Sequence, residues 1–141
     1  MKGFFIFAAV PVLFWVAGCE ITSNEPPPVP VRIESVSIVT EEEGGRIAAY
    51  ADFSGYLSNG AATLLEPRQR REGYRIYLEV MERIPKDAVG TAALVPIERR
   101  IPIDTAGLAP GVYIVNLNGR EEHLEIDGAG LRPASDRGQF L

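Results

Sequence analysis

Catalysis and metal binding need several chemically capable side chains within reach of one point, and this sequence offers few. Its single histidine, His123, lies in Glu121-Glu122-His123-Leu124-Glu125. On a strand, Glu121, His123 and Glu125 share a face. Residues two apart on a strand are separated by about 7 Å, too far for one ion held about 2 Å from each ligand. No metal is expected there, and His123 reads as a solvated side chain. Arg68, Arg70 and Arg71, with Arg75 beyond, form the basic cluster of the chain. Lying between Pro67 and Glu72-Gly73, the cluster reads as the cap of a hairpin loop, available to an acidic partner or a lipid headgroup. Glu41-Glu42-Glu43 lacks the alternating Asp/Asn pattern of a calcium loop and reads as a solvated turn. Acid–base chemistry would need two carboxylates converging in a pocket, for which Asp52, Glu79 and Asp104 are the available residues. No Gly-x-Ser-x-Gly, phosphate loop or dinucleotide fingerprint is present. The expectation is no catalytic residue, no cofactor and no enzymatic activity.

One thiol does have a chemical context. The chain starts Met1-Lys2, runs without charge from Gly3 to Gly18, and reaches its only cysteine at Cys19. A positive start followed by an apolar run is an export signal. Its sixteen residues, broken by Pro11, are short of the roughly 20 that span a bilayer. The run closes on Val16-Ala17-Gly18-Cys19, which resembles the lipobox of bacterial lipoproteins. A branched apolar residue and two small ones let the peptidase hold the chain extended beside the scissile bond. Cleavage between Gly18 and Cys19 would leave the thiol in a thioether to diacylglycerol. Two or more acyl chains, at roughly 0.8 kcal/mol per buried CH₂, anchor a protein essentially permanently. The residue after the cysteine is Glu20 rather than Asp. This leans the expected address toward an outer membrane if the organism has one, and otherwise toward the cell membrane.

Composition sets the remaining bounds. At 141 residues the chain has room for one domain. With 14 basic and 19 acidic residues its net charge is −5, so nucleic acid is an unsuited partner. The hydrophobic fraction of 46% is enough for a packed core. The expected organisation is a signal peptide at 1–18, the lipidated Cys19 with a Pro-rich linker at 19–30, a β domain at 31–127 and a flexible tail at 128–141. The linker carries Pro26-Pro27-Pro28 and Pro30, which lock φ and favour a semi-rigid polyproline stalk.

The domain shows period-two alternation throughout. Residues 31–39 alternate with a phase slip at Glu34-Ser35 that predicts a bulge. Residues 46–57 place Ile47, Ala49, Ala51 and Phe53 on one face, and Ser58-Asn59-Gly60 is a turn. Residues 74–82 set Tyr74, Ile76, Leu78 and Val80 against Arg75, Tyr77 and Glu79. Residues 97–103 are demoted toward a sheet edge by Pro102. Asn118-Gly119 is the strongest two-residue hairpin turn; it sets Tyr113 opposite Leu124, Val115 opposite Glu122 and Leu117 opposite Arg120. Six or seven short strands without a helical stretch predict an all-β fold, a small antiparallel immunoglobulin-like sandwich with Greek-key connections.

Three pieces of this domain resemble a small β-sandwich domain of bacterial lipoproteins and secreted proteins, of uncharacterised function. They are Gly55-Tyr56-Leu57-Ser58-Asn59-Gly60, then Asp87 through Pro96, then Ile101-Pro102-Ile103-Asp104 with Gly107 through Gly119. The likeness spans roughly residues 53–126. It implies the fold and an extracytoplasmic setting, with no catalytic residue. Members of that family carry Cys at the positions of Ala61 and Gly90, which implies a disulfide this chain lacks. They are apolar where it has Arg120 and Glu122. The reading that follows is a membrane-tethered, non-catalytic binding or assembly module acting on an unknown envelope protein. The alternatives are a protease-inhibitor-like module, with Leu64-Leu65 or Ala92-Ala93-Leu94-Val95 as the presenting loop, and a purely structural envelope protein.

Overall fold

The computed structural model describes residues 25–88, 93–127 and 130–133. The signal segment, the motif Val16-Ala17-Gly18-Cys19, Gly90 and residues 134–141 lie outside them. So does the pairing of Ala61 with Gly90.

The described residues form β-strands and turns with no helix. In chain order the strands are β1 (Val29–Pro30), β2 (Arg32–Glu43), β3 (Arg46–Leu57), β4 (Thr63–Leu64), β5 (Arg68–Glu72) and β6 (Arg75–Glu79). These are followed by β7 (Met81–Arg83), β8 (Val95–Ile103), β9 (Gly111–Leu117), β10 (Arg120–Asp127) and β11 (Gly130–Pro133). One layer is the sheet β2-β3-β8, the other is β11-β10-β9-β6-β5, and a small sheet β1-β7-β4 lies beside them. Ala49, Ala51, Phe53, Ile101 and Ile103 meet Ile76, Leu78, Val115, Leu117 and Leu124 in one buried cluster. The predicted β-sandwich is the fold.

Local chemistry explains most strand limits. The phase slip at Glu34 is a bulge between Ile33 and Ser35 opposite Gly55 and Ser54. A Cβ on Gly55 would stand 2.3 Å from the Arg32 carbonyl oxygen, so only glycine lets β3 pass this close to β2. In the last hairpin Leu117 pairs with Arg120, Val115 with Glu122 and Tyr113 with Leu124 as expected. Asn118 at φ 46° and Gly119 at φ 93° make the turn, in the sense that suits the strand twist.

Several boundaries differ from expectation. Glu41, Glu42 and Glu43 are strand residues of β2, and the turn is Gly44-Gly45 alone. The β2–β3 hairpin overhangs β8, whose last rung is Ile103 to Ala49, so Ile47 stays 42% exposed rather than joining the core. The basic cluster is a strand and not a loop: Arg68, Arg70 and Arg71 lie on β5, exposed along its length at the edge of its sheet. Charge is what keeps such an edge from pairing indiscriminately. The strand expected over 74–82 breaks at Val80 and changes sheets. Both main-chain groups of Val80 are bound by the Asn118 side chain, and its carbonyl also accepts the Val31 N–H at 2.9 Å. Gly130–Pro133, expected in the tail, pairs antiparallel with Leu124–Asp127. Val29-Pro30, expected in a free stalk, pairs with Glu82 and Met81.

Among the described residues all pairings are antiparallel except one: β6 runs parallel to β9. The β5–β6 hairpin joins its sheet with the second strand innermost, which reverses the direction of the strand beside β9.

Candidate functional site

The residues singled out for chemistry do not meet. Asp52 lies on the outer face of β3, where Arg100 from β8 grips it through two bonds of 2.7 and 2.8 Å. The same guanidinium bonds Glu41 at 2.6 Å, and Tyr50 donates to Glu43 beside it. Hydrogen bonding to Arg100 holds the Asp52 carboxyl below its ordinary value, and Asp52 and Glu41 together raise that of Arg100. Glu79 is on β6, 3.8 Å from Arg70. Asp104 accepts the Ala106 N–H at 3.0 Å, as a turn-forming residue does. These three carboxylates therefore serve a surface ion network, a cross-strand pair and a turn.

His123 pairs with Ile114 on an exposed face of β10. Glu121 is bound by Arg75 at 2.8 Å and by Asn116 at 3.2 Å, and the Arg75 bond pulls its carboxyl below the ordinary value. Among the described residues no three His, Cys, Asp or Glu side chains are arranged to hold a metal.

Within the basic cluster, Arg70 is committed to Glu72 and stacks 3.8 Å over the Tyr77 ring. Arg68 and Arg71 are exposed. Glu82 was not anticipated as a buried group: it is 2% exposed, and both its oxygens accept the Ser58 N–H, at 3.2 and 3.0 Å. The bond ties the small sheet to the end of β3. An isolated Glu in a short alternating segment carries no sequence signal for this.

The feature best shaped for recognition is the open side of the sandwich. On one side β2 lies against β10 and β11. On the other, β8 and β5 have no strand on their outer sides among the described residues. At one end of this opening the Gln69 side chain bridges the gap. Its amide nitrogen donates to the Asp104 carbonyl at 2.9 Å and its oxygen accepts the Asp104 N–H at 3.0 Å. Next to that bridge a cleft of about 350 Å³ lies between β8 and the segment Leu64–Pro67, with Phe53, Leu65 and Ile101 in its wall. Leu64 and Leu65, expected on a presenting loop, line this cleft and are half-buried. Leu94 is 52% exposed, and Ala92 lies outside the described residues.

One further geometry defines the class of fold. Tyr113, near the start of β9, donates its hydroxyl to the carbonyl of Ala109, four residues upstream, at 2.9 Å. This is the tyrosine corner of Greek-key sandwiches, which locks the crossing from one layer to the other. The crossing here runs from β8 through Leu108-Ala109-Pro110-Gly111 into β9. The protein is thus a β-sandwich with a locked inter-sheet corner. More particularly, it belongs to the family of the ORF11 beta-sandwich domain, whose model matches residues 51–126. Two similar chains come from Herpetosiphon aurantiacus. The uncharacterized 10.2 kDa protein in the HgiBIM 5' region is 35% identical over 75 residues, 53% of this chain and 90% of that one. Its counterpart in the HgiCIIM 5' region is 30% identical over 96 residues, 68% of this chain and 100% of that one. No solved structure matches.

Proposed function

We propose that this protein is a lipoprotein of the bacterial cell envelope, anchored through an acylated Cys19, whose sandwich is a non-catalytic binding or assembly module for an envelope protein. The observation that carries the reading is Val16-Ala17-Gly18-Cys19 at the end of a charge-free apolar run. The docking of the Pro-rich segment supports a particular geometry for it. Glu25 bonds Arg83 at 2.8 Å and Val29-Pro30 joins the small sheet. Six peptide units from Cys19 to Glu25 reach at most about 20 Å, so the tether holds the sandwich close against the bilayer.

Intact-mass spectrometry of the detergent-extracted protein tests the anchor. The expected mass is that of a chain starting at Cys19 with its acyl groups, and Cys19→Ala is expected to accumulate an uncleaved precursor. An unmodified N-terminus at any other residue overturns the reading.

A further inference from the structure

The open side of the sandwich carries a sharper inference than binding in general. β8 is an edge strand, and its two prolines decide which way its main chain faces. Pro96 and Pro102 pair with Tyr56 and Tyr50 of β3 but have no N–H to give them. Main-chain groups alternate along an antiparallel strand, so the even-numbered residues of β8 direct N–H and C=O away from β3. Asp104 continues that series, and its N–H and C=O do point outward, to the Gln69 amide. The edge therefore already binds one peptide-like amide, supplied by a side chain. Glu98 and Arg100 present the next outward groups. Among the described residues these have no strand beside them; the Glu98 carbonyl is covered only by the Arg99 guanidinium, at 3.0 Å.

Side chains at this edge follow the same alternation. Ile97, Arg99 and Ile101 share the inner face, with Arg99 paired to Phe53 across the sheet. Among the described residues Arg99 has no carboxylate partner, and the apolar wall of Phe53, Leu64, Leu65 and Ile101 lies beside it. The far wall is held in place, because the Leu65 N–H donates to the Met81 carbonyl at 2.9 Å. We infer that β8 accepts an extended peptide segment of a partner, through the main chain of Glu98 and Arg100. The segment would carry an acidic side chain opposite Arg99, flanked two residues away on each side by apolar ones that lie over Ile97 and Ile101 and enter the cleft. Strand addition of this kind takes its affinity from main-chain bonds and its specificity from alternate side chains. Pro96 and Pro102 confine it to the short window between them, and Arg99 rejects strands of the wrong sign. This rests on the reading of the domain as a binding module and names the chemistry of its partner.

The probe is the labelled peptide Ser-Thr-Val-Thr-Asp-Thr-Val-Thr-Ser, titrated into the full-length protein in detergent and followed by fluorescence anisotropy and amide hydrogen exchange. Saturable binding is expected, with the Glu98 and Arg100 amides becoming protected. Replacing the peptide's Asp by Lys is expected to weaken binding roughly tenfold, since like charges in contact are strongly disfavoured. Arg99→Glu is expected to reverse that preference while leaving the thermal midpoint near that of the parent. Equal binding of the two peptides overturns the inference, as does saturation without protection at Glu98 and Arg100. A dimer that protects those amides without peptide would assign the edge to a second copy and also overturns it. The lipid takes no part in this assay, so its failure leaves the tethered-module reading to the mass of the N-terminus.

Discussion

Asn118 performs two tasks that are separable by mutation. Its main chain takes the positive φ that the turn requires. Its side chain donates to the carbonyls of Val31 at 2.9 Å and Val80 at 2.7 Å and accepts the Val80 N–H at 3.0 Å. Asn118→Gly keeps the turn and removes the three bonds of the clamp, leaving the Val31 carbonyl and the Val80 N–H to find other partners while the Val80 carbonyl keeps the Val31 N–H. A loss of about 2 to 4 kcal/mol is expected, at roughly 1 kcal/mol or more per bond, read from the denaturant midpoint. A loss of only a few tenths would mean that the residue serves the turn alone. Gly55 makes an equally local demand. Gly55→Ala forces a methyl against the Arg32 carbonyl, and about 1 to 3 kcal/mol of destabilisation is expected from the overpacking. The glycine was visible in the sequence and so was the bulge, but not their meeting across two strands.

Among elements, the β8–β9 crossing is fixed at its β9 end by one hydroxyl. Tyr113→Phe keeps the buried ring and removes the bond to Ala109. The expected loss is about 1 kcal/mol, with the parent fold retained by circular dichroism. The sheet β2-β3-β8 adds a pH dependence through Asp52. Because Arg100 lowers its carboxyl in the folded state, the Asp52 contribution is complete above the unfolded carboxylate value of about 4. It is lost as pH falls through the lower folded value. Asp52→Asn is therefore expected to lower the thermal midpoint at neutral pH slightly, and to flatten its decline in acid. The effect is small because the pair is solvent-screened. If parent and variant decline in parallel, the pair contributes nothing to folding. Strand positions followed from alternation wherever one face is buried, as in β3 and β9. They did not for β5, where Arg68–Glu72 has no apolar member and pairs only because β6 supplies a partner edge.

At the scale of the molecule, the proline-rich segment is part of the domain. Val31 is 2% exposed, and Val29-Pro30 completes the small sheet. A chain starting at Arg32 is expected to be less stable by about 2 kcal/mol, the value of burying one valine, than one starting at Glu25. Equal thermal midpoints for the two would show that the segment docks without contributing.

The β class, the last hairpin with its pairing, the bulge in β2 and the edge position of β8 are legible along the chain. All of these follow from short-range physics: side-chain alternation, turn chemistry and the missing N–H of proline. The parallel contact of β6 with β9, the change of sheet at Val80, the burial of Glu82 and the bridge from Gln69 to Asp104 arise only once the chain is packed. Each depends on groups far apart in the chain, such as Asn118 with Val31 and Gln69 with Asp104. No local pattern encodes which of many polar side chains will meet an unpaired main-chain group. The candidate site belongs to the second kind. Along the chain Leu64-Leu65 reads only as a presenting loop and Arg99 carries no signal; they line the proposed recognition surface because two sheet edges face each other across the open side of the sandwich.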